Sequence, residues 1–195
     1  MKKIAVLLFV LLIPTFVSAE VEKIQVDTST SEIKWLGKKV SGQHDGTIKL
    51  KDGFIEVKDG NISGGSFTID MLSIVNKDIE SPKYKAKLED HLKSNDFFNV
   101  SKFAEAKFDI ASVSKADNGK FEVEGTLDVK GIKKPVKFLA DITEAEGKKK
   151  AVASFNINRL DWDIKYNSGK FFSIADLGDK LIYDDIGISL SLVTK

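Results

Sequence analysis

Apolar and polar side chains alternate with a period of two along most of the chain after residue 20. This alternation is typical of half-buried strands, because successive side chains of a strand point to opposite faces of the sheet. The pattern therefore predicts an all-β fold in which each strand turns one apolar face towards the core. The alternating apolar positions are Ile33 and Trp35; Ile48 and Leu50; Phe67, Ile69 and Met71; Phe108 and Ile110; Phe121, Val123, Leu127 and Val129; Val136, Phe138, Ala140 and Ile142; Phe155 and Ile157; and Ile186, Ile188, Leu190 and Leu192.

Turn sequences separate many of these segments. They are Asp52-Gly53, Asp59-Gly60-Asn61, Asp117-Asn118-Gly119, residues 131–135 and Glu146-Gly147. Each contains glycine or asparagine, the residues that most readily adopt the positive φ of a tight hairpin. Strands joined by hairpins run antiparallel, and roughly eight to ten of them avoid exposed edges as a closed barrel or as a two-sheet sandwich.

One stretch has the periodicity of a helix. Ser81 and Pro82 suit the N-cap and first helical positions, and Tyr84, Leu88 and Leu92 recur every four residues before Ser94. These residues predict a short helix whose apolar stripe covers an open end or edge of the sheet.

A second stretch, residues 161–185, is rich in aromatic side chains among glycines and aspartates. The aromatic residues are Trp162, Tyr166, Phe171, Phe172 and Tyr183. This content is too apolar for a simple solvated loop, so the segment is expected to fold back onto the sheet.

The first residues have the pattern of a cleavable export signal. Lys2 and Lys3 precede an apolar run over residues 4–17, and Val17-Ser18-Ala19 supplies a small-residue exit. We expect a signal peptide at residues 1–19, cleavage between Ala19 and Glu20, and one domain at residues 20–195 that is periplasmic or secreted. A retained anchor is the alternative. Because the chain has no cysteine, no thiol is present for lipidation and no stable membrane anchor is expected.

Charge and cysteine content narrow the partners further. The formal net charge is +1, or −1 without Lys2 and Lys3, and acidic residues are interleaved with lysines throughout. Nucleic acid is therefore not an expected partner. With no disulfide, stability has to come from burial and sheet pairing. The oligomeric state stays open, with a homodimer as one alternative.

The sequence carries no strong catalytic motif. Of its two histidines, His44 is near Ser41 and Asp45, but no G-x-S-x-G motif is present and closeness in sequence does not make a triad. A zinc site would lack thiols. Four aspartates could supply oxygen ligands for calcium, but their spacing does not fit an EF-hand loop; they are Asp176, Asp179, Asp184 and Asp185. We therefore expect a protein that is not an enzyme and that has no cofactor and no metal; a hydrolase is the least favoured hypothesis.

Several strings resemble the YceI-like proteins, over essentially the whole of residues 20–195 and in the order of that family. They are WLGKKV at 35–40, GQHDG at 42–46, HLKSNDFF at 91–98, GTLDVKGIKKPV at 125–136 and NRLDWDI at 158–164. Leu160 and Asp163 depart from the pattern, since relatives often carry a hydroxyl residue and a glycine there. The resemblance implies an extended lipocalin-like antiparallel β-barrel of about eight strands with one short helix. It also implies that an apolar bore binds polyisoprenoids or related amphipathic lipids.

The candidate ligand-binding residues are the apolar side chains expected to face this bore or to shape its mouth. Phe97, Phe98, Phe171 and Phe172 fall outside the predicted strands and are candidates for the mouth or a lid. The full set is Trp35, Phe67, Ile69, Phe97, Phe98, Phe108, Ile110, Phe121, Phe138, Phe155, Trp162, Phe171 and Phe172.

Two functions remain open at this point. On the residues alone, the inward aromatic side chains fit a solid core as well as a hollow bore. The resemblance favours an exported protein that holds a polyisoprenoid, an isoprenoid quinone or a similar amphipathic lipid. The alternative is a ligand-free stress-response or interaction protein of the envelope with a filled core.

Overall fold

A computed structural model describes residues 20–195. The predicted signal peptide and its cleavage site lie outside the described residues. Nine strands account for most of the fold. They are β1 (Glu22–Gln25), β2 (Glu32–Lys39), β3 (Gly42–Lys58), β4 (Asn61–Asn76), β5 (Glu105–Lys115), β6 (Phe121–Val129), β7 (Ile132–Ala145), β8 (Lys148–Asn158) and β9 (Ile182–Val193).

Strands β2 to β9 form a closed barrel in which every pair is antiparallel. Each strand pairs with its neighbour in sequence, and β9 closes the sheet by pairing with β2. The extra strand β1 pairs with the C-terminal part of β3, and Val26, the residue that follows β1, bridges to Thr194 just after β9. The all-β prediction, with a lipocalin-like antiparallel barrel of eight strands, is confirmed. Closure removes the edges that an open sheet would expose.

Three hairpins have a tight turn at or next to the predicted position. The turn predicted at residues 131–135 is formed by Lys130 and Gly131, because residues 132–135 already belong to β7. Asp59-Gly60, Lys130-Gly131 and Glu146-Gly147 all have positive φ at both central residues, which is the type I′ geometry that matches the twist of paired strands. Asp52-Gly53, by contrast, is not a turn, and this prediction was wrong. Both residues lie inside β3, where the pairing with β4 shifts register. A Cβ at Gly53 would come within 2.7 Å of the Phe67 ring, so this glycine permits a close approach within a long, bulged strand.

Helix α1 (Pro82–Lys93) begins and ends where the sequence predicts. It contacts β4 at one end of the barrel, hereafter the helix end. Its apolar stripe is shorter than predicted, because Leu92 packs against the core while Tyr84 is 63% exposed. The helix therefore rests on the rim by its C-terminal half. Within residues 20–195, no helix is both long and apolar enough to span a bilayer.

The segment between β8 and β9 also lies at the helix end. It contains a 3₁₀ turn (Arg159–Trp162), the one-turn helix α2 (Ile174–Leu177) and a second 3₁₀ turn (Gly178–Lys180). Asp163 has a left-handed conformation with φ of 58°. The first part of the segment packs onto the barrel, because Trp162 and Ile164 are buried beside Phe97.

Apolar clusters occupy both ends of the barrel. At the helix end the buried members are Met71, Ile74, Phe97, Val100, Ala106, Val129, Trp162 and Ile164. Around β1 they are Val26, Leu50, Ile55, Val57 and Phe67. A smaller cluster on β6, β7 and β8 contains Val123, Ala140 and Ala153. The core is thus spread along the barrel wall and its ends.

Replacing Gly125 should destabilise the barrel. A Cβ at this position of β6 would meet Asp109 O and Phe108 Cζ, each at 2.5 Å. We expect Gly125→Ala to lower the free energy of unfolding by about 1–3 kcal/mol, the usual cost of overpacking, as measured by urea denaturation. The matched control is Gly37→Ala in β2, where an added Cβ meets nothing within 4 Å. Equal losses in the two variants would show that the Phe108 contact is not the cause.

Candidate ligand-binding cavity

The interior of the barrel contains a cavity of about 270 Å³. All eight barrel strands contribute lining side chains, and helix α1 adds Leu92. Because side chains alternate between the two faces of a strand, closure of the sheet turns the apolar member of each alternating pair inward. The lining is therefore almost entirely apolar, and Lys149, Lys150 and Arg159 are its charged residues.

Three phenylalanines form a continuous aromatic wall along β5 to β8. Phe138 stacks on Phe155 with ring centroids 4.2 Å apart and an interplanar angle of 6°. Phe108 lies 5.7 Å from Phe138 between centroids, and it lies over Gly125 on the intervening strand. The inward rings thus touch one another along the wall, as offset and stacked aromatic pairs do, while leaving a cavity beside them.

The inward side chains are less buried than those of a filled core. Phe138, Phe155, Ile188 and Leu190 face the inside of a closed barrel and line the cavity, yet each is only half-buried. In a close-packed interior such residues would lose nearly all of their accessible surface. Their remaining accessible surface therefore faces the cavity.

Nine of the thirteen candidate residues line the cavity. They are Trp35, Phe67, Ile69, Phe97, Phe98, Phe108, Ile110, Phe138 and Phe155. The structure places Phe121, Trp162, Phe171 and Phe172 outside the lining. Trp162 is buried in the cluster at the helix end and donates its Nε1 proton to the carbonyl oxygen of Leu127 at 3.2 Å. Phe171 and Phe172 are 52% and 50% exposed on the outer surface.

The candidate set omitted most aliphatic members of the lining and all of its charged members. The aliphatic strand residues Ile48 and Ile188 follow the same period of two as the chosen residues, so the sequence pattern could have identified them. Lys149 has the inward parity of Ala151 on β8, and that parity could have identified it. No local signal marks Arg159 as a lining residue, because it follows the last residue of β8.

Aromatic contacts join helix α1 to the segment after β8 at the helix end of the cavity. The ring of His91 meets Phe97 and Tyr166 edge-on, with centroids 5.0 and 4.6 Å apart. The Nε2 atom of His91 lies 3.0 Å from Asp96 Oδ2. Phe97 and the neighbouring Phe98 both line the cavity. Movement of α1 would therefore alter this end of the cavity.

Arg159 is the one fully buried charged side chain in the described part of the chain, with 1% of its surface exposed. Its guanidinium donates to three carbonyl oxygens, those of Ile164, Ile182 and Tyr183. Asp184 Oδ1 lies 3.2 Å from its Nη2 atom. Burial lowers the pKa of Arg159, and the charge of Asp184 opposes this shift. The side chain thus ties the segment after β8 to the start of β9.

Removing Arg159 should strongly destabilise the protein. Arg159→Met would leave three carbonyl oxygens without a donor and Asp184 without its counterion, a change that typically costs about 3 kcal/mol or more. Urea denaturation measures this loss. The control is Lys34→Met, which breaks the exposed Lys34–Glu32 pair and should cost less than about 1 kcal/mol. A comparable loss in both variants would contradict a stabilising role for the buried pair.

Lys149 closes the opposite end of the cavity. Its side chain is only 15% exposed, and its ammonium group forms an ion pair with Glu144 on β7. The same group lies 3.5 Å from the carbonyl oxygen of Gly60, which belongs to the β3–β4 turn on the far side of the barrel. A charged side chain therefore spans the barrel at this end. At the helix end the cavity is bordered by apolar residues and by Arg159, whose charge is already paired.

The structure does not assemble Ser41, His44 and Asp45 into a triad. Ser41 donates its hydroxyl proton to the carbonyl oxygen of Asp179 at 3.2 Å. His44 Nδ1 lies 2.8 Å from Asp78 Oδ2, while the backbone N–H of Asp45 donates to Asp78 Oδ1. Burial opposes ionisation of Asp78, but hydrogen bonds from His44, Asp45 and Asn76 outweigh it and lower its pKa. These contacts anchor the start of β3 to the loop after β4.

Asp78 should make stability sensitive to acid. The pKa of Asp78 in the folded protein lies below its value of about 3.9 in the unfolded chain, so ionised Asp78 stabilises the fold. This contribution is complete above the pKa of the unfolded state. It is lost as the pH falls through the pKa of the folded state. We expect Asp78→Asn to be less stable than wild type at neutral pH and to lose less stability on acidification to about pH 2. Urea denaturation at several pH values measures this difference. Equal acid sensitivity in the two proteins would contradict it, and Asp141→Asn, at an exposed pair with Lys120, serves as control.

Metal ligands do not converge in residues 20–195. No group of three or more histidine, cysteine, aspartate or glutamate side chains is close enough together there to hold a metal ion.

The fold and the cavity define an antiparallel barrel with an apolar interior. The chain belongs to the YceI-like family: the model of the YceI-like domain matches residues 24–194. A relative from Photorhabdus laumondii, UPF0312 protein plu2095, is 32% identical over 140 residues, which cover 65% of this chain and 67% of that protein. A UPF0312 protein of Shewanella denitrificans is 42% identical over 62 residues, which cover 32% of each chain.

Solved structures share the same fold. The crystal structure of Burkholderia cenocepacia BcnA superposes with a TM-score of 0.69 at 18% identity, covering 87% of this chain and 99% of that one. A polyisoprenoid binding domain from Saccharophagus degradans, described as implicated in plant cell wall breakdown, has a TM-score of 0.65 at 13% identity and covers 91% and 99%. At these identities the likeness concerns the fold alone.

Proposed function

We propose that this protein is an exported lipid-binding protein of the periplasm or the extracellular space. Its ligand is a polyisoprenoid, an isoprenoid quinone or a similar amphipathic lipid, held with its apolar chain in the barrel. The observation that carries the proposal is the apolar cavity of about 270 Å³ inside a closed barrel whose inward residues keep accessible surface. The polyisoprenoid binding domain of similar fold supports the same class of ligand.

Burial of the ligand chain supplies the binding free energy in this proposal. Each methylene-sized group moved from water into an apolar site contributes about 0.8 kcal/mol, so a five-carbon prenyl unit contributes up to about 4 kcal/mol. An apolar cavity of about 150 Å³ accommodates benzene. By that scale, a cavity of about 270 Å³ holds on the order of ten carbon atoms, or two prenyl units. A longer chain would extend beyond the cavity.

The ligand would enter at the helix end. The other end is spanned by the Lys149–Glu144 pair and the Gly60 contact, and an ionised pair is a poor entrance for an apolar chain. At the helix end, Leu92 and Phe98 border the cavity. These residues belong to a surface helix without a fully buried residue and to the turn that follows it, an arrangement suited to local opening.

A blocked cavity should abolish lipid binding. Ala140 and Leu139 are adjacent on β7, but Ala140 lines the cavity whereas Leu139 is 40% exposed on the outside. We expect Ala140→Phe to weaken binding of geranylacetone, a thirteen-carbon prenyl ketone, by tenfold or more, because the added ring occupies the space of the ligand. Leu139→Phe should bind as wild type does. Quenching of intrinsic fluorescence measures both affinities, and Ile142→Trp is a second blocking variant if Ala140→Phe does not fold.

Native mass spectrometry of the protein from its own host tests the rest of the proposal. We expect a bound lipid that organic solvent releases, on a chain whose mass begins at Glu20. Empty protein in repeated preparations, together with no uptake of geranylacetone, would overturn lipid binding and favour a ligand-free interaction protein. A mass that includes residues 1–19 would overturn export by signal cleavage.

A further inference from the structure

Phe171 and Phe172 expose their rings to solvent on a segment that projects from the barrel. Their side chains are 52% and 50% exposed, whereas the other nine phenylalanines of residues 20–195 are more deeply buried. Within residues 171–180, every residue except Leu177 is exposed. Ile174 on the same segment is 65% exposed. Single exposed apolar side chains are ordinary, but a cluster of them in contact with water marks an interaction site.

The exposed apolar side chains of this segment form one patch with a side chain of the β2–β3 turn. The side chains of Ile174 and Leu181 each come to 3.2 Å from where a Cβ on Gly169 would lie, so they are neighbours. The backbone N–H of Val40 donates to the carbonyl oxygen of Leu181 at 3.1 Å. Both phenylalanines donate their backbone N–H groups to the carbonyl oxygen of Ser168 at 3.0 Å. The four exposed side chains, hereafter the apolar tip, are Val40, Phe171, Phe172 and Ile174.

The apolar tip lies beside the helix end of the cavity. Just before it in the chain, the ring of Tyr166 meets His91 edge-on with centroids 4.6 Å apart. The carbonyl oxygen of Asn167 accepts a hydrogen bond from the backbone N–H of Ile182 at 3.0 Å. Ile182 lines the cavity, whereas no residue of the apolar tip does. The segment that carries the tip is therefore held at the end where the ligand is proposed to enter, with the tip itself turned to solvent.

The size of the apolar tip is too small for a stable protein interface. Its side chains are 50–65% exposed, and an aromatic side chain has about 150–250 Å² of surface. The four together therefore present on the order of 400 Å². A stable dimer buries about 800 Å² on each partner. A bilayer sets no such minimum, because each inserted apolar side chain contributes separately to binding.

The charges beside the apolar tip favour insertion over purely electrostatic attachment. Residues 163–180 contain three lysines and three aspartates, which balance, and Lys38 and Lys39 in β2 add a small positive excess. Lys165 Nζ lies 5.1 Å from the centroid of the Phe171 ring. Such a lysine can keep its charge in water while the ring lies deeper. Apolar side chains flanked by lysines are typical of segments that lie at a bilayer surface.

We propose that the apolar tip docks this protein on the surface of a lipid bilayer, with the rings of Phe171 and Phe172 inserted at the boundary of the acyl chains. Docking brings the helix end of the cavity to the bilayer, so that an apolar chain passes between the two without exposure to water, which is costly. The bilayer does not have to be anionic. The docking rests on the proposed lipid binding and adds the surface from which the ligand is taken.

Vesicle flotation tests the docking with phosphatidylcholine vesicles and the protein purified from its host. We expect Phe171→Ser/Phe172→Ser to lower the partition coefficient by on the order of tenfold or more. The matched control is Leu139→Ser/Val152→Ser, which removes two side chains that are 40% and 41% exposed on the barrel wall. This control should bind vesicles as wild type does. All three proteins have the same N-terminus, so its contribution cancels in the comparison.

A tryptophan in the apolar tip reports insertion directly. Phe172→Trp keeps an aromatic side chain at the tip, and phosphatidylcholine with brominated acyl chains should quench its fluorescence beyond the level seen with wild type. Leu139→Trp should show no such additional quenching. About 1 M salt, which shortens the Debye length to about 3 Å, should leave the partition coefficient of the wild-type protein nearly unchanged, because the tip carries no charge.

Three results would overturn the docking by insertion. The first is equal partitioning of wild type and Phe171→Ser/Phe172→Ser. The second is binding only to anionic vesicles, abolished by about 1 M salt. The third is a dimer in sedimentation velocity that this double variant cannot form, without vesicle binding by wild type, which would assign the tip to a second copy of the chain.

Binding of geranylacetone in solution separates the docking from the proposed function. Because the apolar tip does not line the cavity, Phe171→Ser/Phe172→Ser should bind geranylacetone with the affinity of wild type. Vesicle binding that depends on the tip, without any binding of geranylacetone, would uphold the docking and overturn the cavity as a lipid site. Binding of geranylacetone without vesicle binding would do the reverse.

Discussion

Closure of the sheet by the pairing of β9 with β2 is the constraint on which the rest of the structure depends. Once eight strands form a closed circuit, the residues of one parity face the enclosed interior. Those positions are therefore mostly apolar, which explains the period-two pattern along the chain; Lys149 at one end is an exception. Closure also sets the distance between opposite walls of the barrel. The inward side chains do not completely fill the space between these walls. The cavity of about 270 Å³ is the remainder.

Because the interior is apolar, each polar group that borders it has to be balanced by a partner. Arg159 and Lys149 border the cavity at opposite ends, and both have their charges balanced by a carboxylate. Arg159 serves the fold, because its three carbonyl contacts connect segments distant in sequence. In the proposed function, capacity for a lipid chain thus resides in the apolar walls.

Local patterns in the sequence predicted where helices and strands lie better than they predicted which side chains contact one another. The signals at Ser81 and Pro82 give the start of α1, yet the predicted stripe fails at Tyr84, because only the C-terminal half of the helix reaches the barrel. Asp52-Gly53 has turn chemistry, but its glycine serves the close approach of Phe67 within a long strand. Phe171 and Phe172 could not be placed from sequence, because aromatic residues in loops pack wherever tertiary contacts hold them.

The sequence by itself determined which side chains face inward, because alternation along a strand is a local property that survives in any antiparallel arrangement. It also determined the family, through strings spread over the whole domain. Only the tertiary structure decided whether the interior is filled. That depends on how far apart β2 and β6 lie in a barrel of eight strands, and on Phe138 stacking with Phe155 while Phe108 lies over Gly125. Such packing joins residues distant in sequence, and no local pattern encodes it.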